Sequence, residues 1–402
     1  LNSSDIIGDL MKMNKYLRYW SIILLFIGLL FFCDNGQLVH AQDNNSVISN
    51  DEINDDLEGL YDYISTMKSN FELINDLDPV SYIKNYISTG KGNLSFSKIC
   101  DAAFSLLFKE VKTVLSMCII IVVIGIICSL IKNLQSAFSS ESISEIAFYA
   151  CYALMIIVLT RTFIISLDLA KDIITQISGF MSKLLPILVV MLGVAGGFTE
   201  SATMDPIVLG TTIIIPKIYL NIILPLILIT FVLQFTNNIS TEPKISNLCS
   251  LVKSSVLWIQ GLILTVYIGL LTVRGITAST IDAVTLKTAK FTIDNFIPIV
   301  GKTFSDAIAS VAGYSLIIKN AIGSVGLLLL ILILLYPIIK IFLSSIILKI
   351  SSSLLEPIAD KRITKAVFSA GDSLILILSS VLCVSLMFFV LIAMMVSAGK
   401  FV

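Results

Sequence analysis

From Thr113 to Ala398 the chain is dominated by apolar runs long enough to cross a bilayer, and that feature excludes most architectures. Seven are read, at Thr113 to Ile131, Ile146 to Leu167, Ile177 to Phe198, Ile207 to Phe235, Ser255 to Val273, Ala321 to Leu348 and Ser373 to Ala398. A bilayer core holds no water to satisfy backbone groups, so each run is read as a helix. With 56% hydrophobic residues, 14% charged residues and a mean hydropathy of +0.95 over 402 residues, a soluble fold is excluded. The expected fold class is all-α, a polytopic α-helical membrane protein with about seven transmembrane segments and a short helical N-terminal ectodomain.

One stretch departs from plain membrane helix. Residues 274–320 are too polar for a lipid-facing span and too apolar for a solvated loop. Lys287, Lys290 and Asp294 share a helical face, with Lys290 and Asp294 spaced for an i,i+4 pair. Beyond Pro298 and Gly301, Lys302 and Asp306 repeat that spacing, so the segment reads as helix, break, helix. Broken helices at bilayer depth need protein or a watery cavity around them, which makes this segment a candidate conduit or docking surface. The other reading is a helical hairpin lying on the membrane surface.

The N-terminal part has a different composition. Lys12, Lys15 and Arg18 precede an apolar run from Trp20 to Phe32 and the sequence Val39-His40-Ala41. That pattern marks residues 1–41 as a leader and cleaved signal peptide, with translation expected from Met11 or Met13. Residues 42–92 then carry ten acids against three lysines, whereas residues 93–402 carry 21 basic against 15 acidic residues. Residues 42–95 are therefore expected to form an acidic extracytoplasmic helical region, with Ile53, Leu57, Leu60, Ile64 and Met67 on one face. A merely solvating acidic leader is the plainer reading. The membrane domain is residues 96–402, and Phe96 to Lys112 is expected to lie in the interface before the first span. With Gln42 outside, seven crossings put residues 274–320 and the C-terminus in the cytoplasm. The basic residues Lys349, Lys361, Arg362 and Lys365 would then face outward, against the positive-inside tendency.

Arg161, Lys183 and Lys217 interrupt apolar runs and are candidate lining groups of a polar path, or else snorkel to the interface. Gly193 with Gly197 and Gly323 with Gly326 are small-residue pairs suited to close helix packing. Pro186, Pro216, Pro225 and Pro337 fall inside spans and should kink them. Cys118, Cys128, Cys151 and Cys383 lie in apolar runs and read as small hydrophobes. No cofactor, metal or catalytic residue is indicated. Gly301-Lys302-Thr303 ends like a phosphate-binding loop, but Phe296 stands where that loop needs its first glycine. The single histidine, His40, sits at the expected processing site, and cleavage there would leave the mature chain no imidazole. The chain has no basic patch with interleaved aromatics, so nucleic-acid binding is not expected.

Three motifs carry a family resemblance. Asn133-Leu134-Gln135-Ser136-Ala137-Phe138 follows the first span, Phe296-Ile297-Pro298-Ile299-Val300-Gly301-Lys302-Thr303-Phe304-Ser305-Asp306-Ala307 forms the central break, and Leu355-Glu356-Pro357-Ile358-Ala359-Asp360-Lys361-Arg362-Ile363 precedes the last span. In this order, with signal, ectodomain and multi-span body, they resemble the stage III sporulation protein AE family over residues 11–402. The resemblance implies a multi-pass protein of the mother-cell membrane surrounding the forespore. It also implies a secretion-like channel complex linking the two cells, with other stage III sporulation proteins of the same operon as partners, among them an ATPase and ring-forming intermembrane proteins. It supplies no catalytic residues. Two rival expectations are a permease-like transporter of a small solute, running near Arg161, Lys183, Lys217 and the break at Pro298 to Gly301, and a purely structural membrane anchor.

Overall fold

The computed structural model describes residues 96–138, 141–239, 245–296 and 301–398, all of them in the unit Asp51–Val402. The leader, the signal and the acidic region 42–95 lie outside the described residues. Among those described there is no strand. The long helices are α1 (Phe96–Phe138), α2 (Glu141–Val194), α6 (Ser246–Phe296), α7 (Gly301–Leu355) and α8 (Lys361–Ser397). Between α2 and α6 lies a compound helix, α3 (Phe198–Leu209), α4 (Ile215–Ile218) and α5 (Leu224–Ile239), joined by π-helical turns at Gly210–Ile214 and Tyr219–Ile223.

Six helical rods are long and apolar enough to span a membrane, close to the seven runs read from the sequence. The difference lies in α2, where the runs at 146–167 and 177–198 merge into one helix of 54 residues. The segment between them, Asp168 to Gln176, is polar but contains neither glycine nor proline. Charge alone does not stop a helix, and Asp168 and Lys171 pair along the helix at 3.1 Å. The real stop is Gly196, whose φ of 94° turns the chain at a position that strongly favours glycine. Likewise, α1 runs from the interface helix into the first span without a break.

The third rod shows how prolines are accommodated. Pro216 and Pro225 each follow a π-helical turn. Proline removes one backbone donor and pushes away the carbonyl four residues earlier, which for Pro216 is that of Thr212. That carbonyl instead accepts a hydrogen bond from Ser178 Oγ of α2, at 2.6 Å. The freed group is satisfied inside the bundle, as bilayer depth requires.

The rods alternate in direction. At one end Ser129 of α1 bonds the Ile358 carbonyl of the α7–α8 loop, and Tyr152 of α2 bonds the Phe235 carbonyl of α5. At the opposite end Asp282 of α6 meets the start of α3. The centre of the bundle is α8, most of whose residues are buried, whereas most of Ser246–Gly275 in α6 is exposed or half-buried. Gly323 and Gly326 let α7 approach closely, since a β-carbon there would stand 2.1 Å from Val396 and 2.4 Å from Leu184. Phe163, Phe180, Tyr219 and Phe388 fill the interior.

Candidate functional site

Polar groups in the described bundle concentrate along one seam and at its two ends. The seam joins α6 to α8, which run parallel. Lys253, Gln260 and Tyr267 recur every seven residues on α6 and therefore face one side. Lys253 Nζ reaches Asp372 at 2.6 Å, and Gln260 Nε2 donates to Ser380 Oγ at 2.7 Å while its Oε1 accepts from Ser379. Tyr267 Oη donates to the Met387 carbonyl at 3.2 Å. Gln260 and Tyr267 are buried where hydrocarbon would leave their polar groups unsatisfied, so the seam fixes the axial register of two rods.

At the loop end of the seam, Asp372 lies between two cations. Lys349 of α7 contacts its second oxygen at 2.9 Å, so one carboxylate ties three rods together. Nearby, Asp360 caps α8 by accepting from the Arg362 amide at 2.9 Å. The Arg362 guanidinium stands 3.4 Å from the centre of the Phe148 ring on α2.

At the other end the arrangement is more deeply buried. After the Gly196 turn, the first amides of α3 have no intrahelical acceptor. Asp282 of α6 takes them up, its two oxygens accepting from Thr199 N at 2.8 Å and Glu200 N at 2.9 Å. A carboxylate there is also favoured by the helix dipole. Arg274, the next heptad position on α6, donates to the Thr203 carbonyl. Lys319 of α7 is 0% exposed, donates to the Ala398 carbonyl at the end of α8 and feels the charge of buried Glu200.

The residues singled out from the sequence are distributed differently. Arg161, Lys183 and Lys217 are all exposed on the outer surface of the bundle, not in its interior. Lys290 and Asp294 lie near the end of α6, and Gly301, Lys302 and Asp306 lie in the first two turns of α7. Pro298 and the side chains of Lys290, Asp294, Lys302 and Asp306 lie outside the described set, as do their expected pairings. Cys118, Cys128, Cys151 and Cys249 are buried free thiols.

Sequence reasoning missed Glu200, Asp282 and Lys319. A signal was present in the run Gly193-Val194-Ala195-Gly196-Gly197-Phe198-Thr199-Glu200, where paired glycines before a helix start demand a capping acceptor. Which residue supplies it could not be read, because Asp282 is more than eighty residues away. Chemically, these groups join helices. Asp282 and Asp360 cap helices and Asp372 pairs with two lysines, and among the described residues no three His, Cys, Asp or Glu side chains converge as metal ligands.

Comparison with known proteins gives a consistent result. The sequence profile described as Stage III sporulation protein AE matches residues 77–399. Stage III sporulation protein AE of Bacillus subtilis (strain 168) is 30% identical over 311 residues, 77% of this chain and 78% of that protein. No solved structure matches.

Proposed function

This chain belongs to the stage III sporulation protein AE family, and from that premise we propose that it is a non-enzymatic membrane subunit of a sporulation-specific, secretion-like channel complex linking mother cell and forespore. A role in spore formation and a multi-pass helical body follow from the family and from the six apolar rods. What supports the reading is the family membership itself, over residues 77–399, which take in every described helix. The use of buried polar groups for joining helices supports a scaffolding or conduit role over catalysis.

The expected partners are an ATPase and ring-forming intermembrane proteins of the same operon, met in the mother-cell membrane around the forespore. Six crossings, entered from outside, make the end with Lys349, Lys361, Arg362 and Lys365 cytoplasmic and thereby satisfy the positive-inside tendency. On that reading the Phe296 to Gly301 break and the C-terminus face the intermembrane space, where ring-forming partners would meet them. The outward position of Arg161, Lys183 and Lys217 counts against a permease path through the middle of one chain.

The test is co-purification from sporulating cells combined with cysteine accessibility. Single cysteines replace Ser305 and Thr364 in a background lacking native cysteines. Labelling at Ser305→Cys but not Thr364→Cys by an impermeant reagent, with the sporulation ATPase retained on purification, is the expected result. Solute transport by the reconstituted chain alone would overturn the reading in favour of a permease. Lys302→Ala and Asp306→Ala should each impair spore formation while leaving membrane levels normal, measured by spore titre and immunoblot.

A further inference from the structure

The outer face of α2 carries charges where a lipid-facing helix should have none. Asp168, Lys171 and Asp172 lie in the middle of the span Phe148–Val194, and the side chains of Asp168 and Lys171 are 57% and 45% exposed. Asp172 is exposed as well and makes no ion pair among the described residues. Arg161 and Lys183 stand eleven residues to either side of Asp172, about 16 Å along the helix in each direction. With Asp172 at the midplane of a hydrocarbon core about 30 Å thick, those two cations reach its two edges, where long side chains snorkel. Tyr267 of α6 lies 3.5 Å from Thr211, next to the Thr212 that bonds Ser178, which sets the stretch Ser246–Gly275 at the same height.

Lys217 joins this belt from the neighbouring rod. The Ser178–Thr212 hydrogen bond and the Phe163–Phe231 stack, at 3.8 Å between ring centres, fix α2 antiparallel to the third rod. Five residues beyond Thr212, Lys217 comes level with Ile173, next to Asp172, and is exposed. The side chains of Asp168, Lys171, Asp172 and Lys217, two acids and two lysines, sum to zero charge. Charged side chains at this depth almost always face protein or a water-filled cavity, not acyl chains.

We infer that this belt is the surface on which a second copy of the chain docks. A two-fold axis along the membrane normal brings the same helix face of two copies together at equal height. Lys171 and Asp172 differ by one residue, about 1.5 Å of rise, so Lys171 of each copy meets Asp172 of the other. Lys171 then bridges Asp168 of its own helix and Asp172 of its neighbour, and Asp172 gains a counter-charge that no described residue of its own chain supplies. A neutral, self-complementary belt fits a copy of itself better than an anionic lipid headgroup or a strongly charged partner. The inference is independent of the proposed channel role, since a structural anchor could dimerise in the same way.

The test uses the full-length protein in native membranes, with its cysteines replaced and Thr175→Cys introduced one turn from Asp172 on the exposed face. Oxidation should give a disulfide-linked dimer, whereas Leu262→Cys on the outer face of α6 should not. Lys171→Glu should lower the cross-linked fraction about tenfold or more, because three acids then face three acids. Adding Asp172→Lys to Lys171→Glu should restore it. Mass photometry of wild-type protein in nanodiscs gives a readout that needs no variant, with two copies expected. A single-copy mass, equal cross-linking at both positions, a cross-link to another protein, or free labelling of Thr175→Cys by an impermeant maleimide would each overturn the inference.

Discussion

The two ends of the bundle handle charge in opposite ways. At the loop end, Asp372, Lys253 and Lys349 remain 18 to 24% exposed, so each ion keeps contact with water or headgroups. At the other end Lys319 is 0% exposed and Glu200 and Asp282 are 4% and 6% exposed. The first end is a three-rod clasp that can loosen without stranding a charge. The second is a closed polar core in which every member depends on the others, because an ion without a partner there has nowhere to go.

That contrast is sharpest where one of two opposite buried charges is removed. Glu200→Gln removes the acid whose charge the buried Lys319 feels, and should destabilise the purified protein by about 3 to 5 kcal/mol. Combining it with Lys319→Met should recover much of the loss in the same denaturation experiment. If the double variant is no better than the single, the two groups do not act as a pair. At the same end, Asp282→Ala removes the acceptor for two α3 amides and should cost about 2 to 3 kcal/mol. Asp282→Asn should recover part of this, measured by thermal unfolding in detergent.

Gly323→Ala tests whether close packing matters beside the buried core. Its new methyl group meets a branched side chain, Val396, and should cost about 1 to 3 kcal/mol. At the clasp, Asp372→Asn should cost only about 1 to 2 kcal/mol, and the difference from wild type should shrink in high salt. A loss as large as that of Glu200→Gln would erase the distinction between the ends. The smallest effect is expected outside both. Arg161→Gln and Lys183→Gln should shift stability by less than about 0.5 kcal/mol, since their side chains are exposed and make no ion pair among the described residues.

Much of the architecture could be read from residue order, because hydrophobicity adds up locally. Apolar length gave helical rods, and the glycine pair at Gly323 and Gly326 marked a close helix contact. The merging of 146–167 with 177–198 was not legible, since Asp168, Lys171 and Asp172 look like a loop to a hydropathy scale but obey every rule for a helix interior. Arg161, Lys183 and Lys217 were correctly seen as charges within apolar runs. Whether they faced inward was beyond reach, because the face a residue presents depends on which neighbours its helix acquires.

By itself the sequence determined the class, the rods, the family and the places where charge interrupts apolar chain, all of which depend on composition and spacing over a few turns. Only the tertiary structure decided that Asp282 caps α3, that Lys319 lies buried near Glu200 and that Asp372 gathers Lys253 and Lys349. Those partners stand 23 to 119 residues apart along the chain, so their meeting is set by the axial register of packed helices. A shift of one turn, about 5.4 Å, would leave every local pattern intact and break each of these contacts.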